Sequence, residues 1–188
     1  MINPTEPISA MLLESLAAQQ RRVLGIVDGL DEGTLRRPVL PSGWCCLGMV
    51  QHLTGMTRFW FVEVMTGEHG DDQVGDSYEV AADRSASDVL NDFRTAIEAA
   101  NAAVRDLPLT TKPAWWPDGL FGDWRIDSLA EVLAHVLVET SCHCGHLDVV
   151  RELIDGRTWD YEHGRLGDAF SERMSPITTN IGRGVDLA

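Results

Sequence analysis

Apolar residues recur at helical spacing along nearly the whole chain, and this periodicity restricts the fold to one built from helices. Ile8, Met11, Leu12, Leu16, Val23, Ile26, Val27 and Leu30 recur at steps of three, four or seven. They form one apolar stripe on a first helix of about 25 residues. Asp28-Gly29 and Asp31-Glu32-Gly33 break it, and residues 34–43, with Pro38, Pro41 and Gly43, read as loop. A second helix runs from about Trp44 to Met65, with Ser42 as its expected N-cap. Residues 67–84 are acidic and irregular. A third helix opens at Ser85-Ala86-Ser87-Asp88, turns Val89, Phe93, Ile97, Ala100, Val104 and Leu107 to one side, and stops at Pro108. A long connection over 108–127 carries Trp115, Trp116 and Trp124. The fourth helix begins at Ser128-Leu129-Ala130-Glu131, a capping-box pattern, and runs to Ile154, where Asp155-Gly156 closes it. The expected fold is an all-α four-helix bundle over 1–156 with long crossover connections. Residues 157–188 form an irregular C-terminal extension on or near the bundle, with a short helix near Ala169–Met174. No strand pattern is convincing.

The chain has 188 residues, enough for one domain that buries roughly 70% of its unfolded surface. It needs neither disulfide nor metal merely to fold, so a metal here would be functional. The formal charge is -14, from 29 acidic and 15 basic residues, which repels phosphate backbones and argues against nucleic-acid binding. The N-terminus lacks a signal-peptide pattern, and no run approaches the ~20 apolar residues of a membrane span. A cytoplasmic location follows by default. Cys45-Cys46 and Cys142-x-Cys144 are not the Cys-x-x-Cys of zinc ribbons and read as free thiols.

Chemistry concentrates on the fourth helix. His135, Glu139, His143 and His146 share a stripe roughly 80° wide. Glu139 and His143 are one turn apart and can converge on one point. A carboxylate oxygen and an imidazole nitrogen suit Zn, Ni, Fe or Mn. His52, among Val50, Leu53 and Met56 on the second helix, is either a hydrogen-bonded core residue or a third ligand. Three protein ligands and one open position are the pattern of catalytic zinc. Because Val132, Val136 and Val150 share the Glu139 stripe, that carboxylate is expected on the buried face, where it needs a partner.

Two segments carry a resemblance. Gly43-Trp44-Cys45-Cys46-Leu47-Gly48-Met49-Val50-Gln51-His52-Leu53 resembles the second-helix motif of the DinB superfamily. Glu139-Thr140-Ser141-Cys142-His143-Cys144-Gly145-His146-Leu147-Asp148 resembles its fourth-helix motif. It is nearest the branch whose first ligand there is Glu, which includes mycothiol-dependent maleylpyruvate isomerase and the mycothiol S-transferases. The resemblance covers roughly 8–156 and implies a DinB-like bundle.

Carried over by position, it makes His52, Glu139 and His143 the metal triad, with zinc the foremost ion. His146 falls beside the site, and His135 belongs to the core or the site's surroundings. Arg58, Trp116 and His146 are the residues expected around the thiol, and His146 and Arg151 those near the reaction. Arg58 and Arg151 would meet a substrate carboxylate or pair with surface acids. The 108–127 connection would wall the electrophile or pack over the bundle end. Cys142 and Cys144 read as small, helix-buried thiols. The implied activity is that of a transferase or isomerase. A metal-held thiolate of mycothiol, or of a similar thiol such as bacillithiol, attacks an electrophilic small molecule. A non-catalytic metal-binding stress-response bundle and a metal-assisted hydrolase are the alternatives. The resemblance also implies a homodimer.

Overall fold

A computed structural model describes residues 6–69 and 77–168 of the chain. The expected helix near Ala169–Met174 lies outside them. Helix α1 spans Glu6–Val27, α2 Glu32–Arg36, α3 Cys46–Arg58, α4 Ala86–Val104 and α5 Leu129–Asp155. α3 continues as a wider π-turn over Phe59–Val64. The four long helices form the all-α bundle, with Leu16, Val23, Leu47, Val50, Leu53, Phe61, Phe93, Leu129, Val136 and Leu147 in its core.

α1 lies along α5, and the two run in the same direction. The Cys144 thiol donates to the Gln19 carbonyl, Arg22 pairs with Asp148 at 2.9 Å, and Arg151 reaches the Ile26 carbonyl. α3 packs on α4 and meets α5 along a shorter seam. Parallel α1 and α5 require connections that cross the bundle, as the sequence implies.

The helix starts follow local chemistry. Ser85 and Ser128 accept from the amides of Asp88 and Glu131, which fixes the first turns of α4 and α5. Glu131 reaches back to the Asp127 amide at 3.1 Å. Gly156, in the left-handed region at φ 74°, ends α5.

Three expectations are corrected. Asp31 caps a one-turn helix where loop was expected, its carboxylate accepting from the Thr34 amide. The N-cap of α3 is Cys45, whose sulfur accepts from the Gly48 amide at 3.3 Å; Ser42 lies too early for that role. Residues 157–168 are a β-hairpin rather than irregular chain. β1 (Arg157–Asp160) pairs antiparallel with β2 (Arg165–Asp168), with Trp159 opposite Leu166. The hairpin is fastened to the bundle by Trp159. Its amide donates to Asp148, and its ring lies where a Cβ on Gly25 of α1 would sit, 2.2 Å away.

Candidate metal centre

α3 and α5 bring His52, Glu139 and His143 together. Nε2 of His52 is 3.2 Å from Nε2 of His143, and Nε2 of His143 is 3.3 Å from Oε2 of Glu139. One ligand atom from each of the three lies within 4.8 Å of the others. Two metal–donor bonds of about 2.0–2.1 Å meeting at the tetrahedral angle leave about 3.3 Å between donors, so both close contacts fit an edge of such a site. Among the described residues, this is the cluster of His, Cys, Asp and Glu side chains that could hold an ion.

The three groups differ in environment. His52 is buried, and its ring stacks on Tyr78 at 4.4 Å between centroids and 12° between planes. His143 is mostly covered. Its pKa is lowered from the usual value, first by burial and then by His52, while Glu139 pulls the other way. A neutral imidazole with a free lone pair is the form that binds metal. Glu139 departs from expectation, because its side chain is 39% exposed. The carboxylate is wetted from one side, and the argument that burial forces a partner on it fails. Donor convergence supports a metal here; desolvation does not.

The surrounding residues divide. Nδ1 of His146 sits 3.3 Å from Nδ1 of His143, and Trp44 lies against the His146 ring at 6.3 Å. The exposed His146 is therefore placed to orient His143 from the side facing away from the donors. His135, one turn before Glu139, packs edge-on against Trp60 at 4.6 Å and near Trp124 at 5.6 Å. Burial lowers its pKa, against the pull of Glu139. Trp116 joins this aromatic cluster, 5.9 Å from Trp60 and 5.7 Å from Trp124, with the Arg125 guanidinium 5.5 Å from its ring. The cluster begins one helical turn from Glu139.

Arg151 does not reach the site. It is buried, with Nε and Nη2 on Asp155 and Nη1 on the carbonyls of Ile26 and Asp28. Only one Nη2 hydrogen remains, on a side chain 2% exposed, so it is not presented to a substrate carboxylate. Arg58 is half-buried at the end of α3. Cys144 is buried as expected, but Cys142 is exposed.

Two features escape sequence reading. Tyr78 comes from the acidic stretch after the second helix, where nothing signals a contact with His52. The one hint is Gly48. A Cβ there would stand 2.1 Å from the Tyr78 carbonyl oxygen, so this glycine lets residues 77–80 lie flat on α3. Gln51 holds the same segment by donating to the carbonyls of Ser77 and Glu79. The second feature is the π-turn, which directs both Phe59 and Trp60 into the aromatic cluster. Its last carbonyl, of Val64, is taken by the amides of Ala114 and Trp115 from the long connection.

No described helix is long and apolar enough to cross a membrane. The family model for mycothiol-S-transferase matches residues 11–156. No curated protein and no solved structure matches the chain.

Proposed function

The chain belongs to the mycothiol-S-transferase family, and on that premise we propose that it is a metal- and thiol-dependent transferase acting on an electrophilic small molecule. His52, Glu139 and His143 would hold one divalent ion, with zinc favoured by the donor set. The observation that carries this reading is the convergence of the two Nε2 atoms and Oε2 from two separate helices. A bound ion supplies one thing: it keeps the coordinated sulfur of a thiol such as mycothiol deprotonated at neutral pH, where a free thiol of pKa ~8.5 is mostly protonated.

The protein's own residues do the rest. If Nε2 of His143 holds the ion, its proton would sit on Nδ1, 3.3 Å from Nδ1 of His146, which would accept it and fix the ring. Tyr78 covers one face of His52 and keeps water from it. The wetted side of Glu139 is the open approach for thiol and electrophile. Trp124, exposed and beside the half-buried His135, supplies apolar surface about one turn away for an electrophile's body, with the buried Trp60 behind them. Attack of the thiolate sulfur on the electrophilic carbon would form a C–S bond while a leaving group departs with its electron pair, as halide does from a halobimane. On an activated double bond the π pair would move instead to the adjoining carbonyl and a proton would be taken up. The product is a thioether conjugate. Later expulsion of the thiol would give an isomer instead. The proposed location is the cytoplasm, a reducing compartment in which a low-molecular-weight thiol stays reduced.

The test is direct. Metal-loaded protein is incubated with mycothiol and a bimane electrophile. Conjugation above the uncatalysed rate is expected, with loss of at least tenfold in His52→Ala. Conjugation by the variant at the wild-type rate would refute the proposed site. No acceleration with mycothiol would refute transferase activity on this probe's electrophile class.

A further inference from the structure

His135 stands apart from the other histidines. Among the described residues, His52, His143 and His146 meet through their ring nitrogens, His69 faces Glu63 at 3.7 Å, and His163 bonds Asp160. No hydrogen bond or ion pair joins His135 to another described residue. Two tryptophans hold its ring instead, Trp60 edge-on at 4.6 Å and Trp124 tilted at 5.6 Å. The residue is half-buried, yet both ring nitrogens reach solvent. Burial lowers its pKa, so at neutral pH the ring is uncharged, with one N–H to donate and one lone pair. A phenyl ring would pack on the tryptophans as well, so the nitrogens add nothing to the fold.

Its place along α5 gives those nitrogens a use. His135 precedes Glu139 by one turn, about 6 Å along the helix axis and about 40° around it. Side chains on a helix lean toward its N-terminus, so Glu139 leans toward His135. Tyr78 covers a face of His52, and His146 with Trp44 lies beyond His143. What stays wetted is the flank of Glu139, and it leads to His135 and the exposed Trp124. A flat molecule whose reacting carbon meets a sulfur over the three donors, and whose body rests on Trp124, brings its intervening atoms beside the His135 ring.

Building on the transferase reading above, we propose that His135 is a further catalytic residue, whose ring N–H donates to the carbonyl oxygen of a flat, conjugated carbonyl substrate while sulfur adds to its β carbon. The step balances without a co-reactant. The thiol loses its proton to solvent on becoming a thiolate. The sulfur pair forms the C–S bond, the C=C π pair shifts toward the carbonyl carbon, and the C=O π pair moves onto oxygen. The α carbon of the resulting enolate then takes one proton from solvent, and the carbonyl returns. A hydrogen bond to that oxygen strengthens as it becomes anionic, so it lowers the barrier to addition. A neutral imidazole is suited to this part. Displacement of a halide sends the charge elsewhere and leaves His135 no oxygen to stabilise. His135 therefore favours conjugated acceptors over alkyl halides, while the metal ligands serve both.

Zinc-loaded protein and mycothiol are assayed with two electrophiles, the flat conjugated ketone benzylideneacetone and monobromobimane, which loses bromide. His135→Phe keeps a packed ring and lacks the N–H. It should lower kcat/KM for the ketone by at least about tenfold, less than the ~100-fold of an enclosed donor because this site is open to water, and change that for the bimane by less than about twofold. Zinc content and circular dichroism should not change. His135→Asn or His135→Gln, which restore an N–H, should recover part of the ketone rate. Binding is read without turnover by the imidazole nitrogen resonances of His135 in the zinc-loaded wild type. Benzylacetone, the saturated and unreactive ketone, should shift them, and butylbenzene, its hydrocarbon counterpart, should not. Equal losses with both electrophiles, no loss with the ketone, or a wild type that conjugates the bimane and ignores the ketone overturns the proposal. So do resonances that benzylacetone leaves unmoved. If the wild type conjugates neither electrophile, the transferase reading falls for both classes, and the benzylacetone shift alone upholds or overturns the carbonyl site at His135.

Discussion

Arg151 and Glu139 are charged residues on one helix with opposite surroundings. Arg151 is enclosed, and its guanidinium binds Asp155 and the last carbonyls of α1, groups that would otherwise lack partners. Truncation would strand those partners. Arg151→Met is expected to lower stability by about 3 kcal/mol in urea titration, with metal content unchanged. The thiols make a second prediction. Burial raises Cys46 to about 11 and Cys144 to about 12, from an ordinary 9.0. A raised folded pKa means stability that is fully present below pH 9 and lost as pH climbs toward 11–12, because only the unfolded thiols then ionise. The slope is on the order of 1.4 kcal/mol per unit for each thiol. Urea midpoints at pH 8 and pH 10.5 should show the fall, and Cys144→Ala should flatten it. The exposed Cys142 should react with a thiol reagent in the native state well before Cys46 or Cys144.

At the scale of elements, the long helices were legible because each repeats its apolar residues over several turns, and two of them, α4 and α5, begin at a serine that caps them. Ser85 and Ser128 cap as their spacing implies. Short elements were not legible. α2 spans one turn, and each strand of the hairpin has four residues, too few for any period to emerge. What makes the hairpin is Trp159 seated on Gly25, a contact across distant parts of the chain. The π-turn was hidden because its residues, Glu63 apart, stay apolar like those of the helix before it. His52, Glu139 and His143 were legible as a set from the two motifs, but the wetting of Glu139 was not, since helical angle alone does not say where a neighbouring helix ends. The glycines test this account with opposite signs. Gly25→Ala should destabilise by about 1–3 kcal/mol, because its Cβ meets the Trp159 ring. Gly145→Ala should stabilise the fold by up to about 1 kcal/mol, because its Cβ meets nothing. Thermal melts would read both.

At the scale of the molecule, a bundle with parallel α1 and α5 sets the middle of α3 against the middle of α5, and the donors sit at that crossing. Core packing alone would favour apolar residues there. Two imidazole Nε2 atoms 3.2 Å apart beside a carboxylate form instead a donor set that could hold a divalent ion. Holding a thiol on such an ion is the use proposed for that arrangement. The central claim is that these three residues hold one ion, and counting metal measures it most directly. Protein loaded with zinc, freed of excess ion and analysed by mass spectrometry should contain about one zinc per chain. The His52→Ala, His143→Ala double variant, shown to be folded by circular dichroism, should contain almost none. A folded double variant that keeps a full equivalent, or a wild type that retains no ion, would contradict the account.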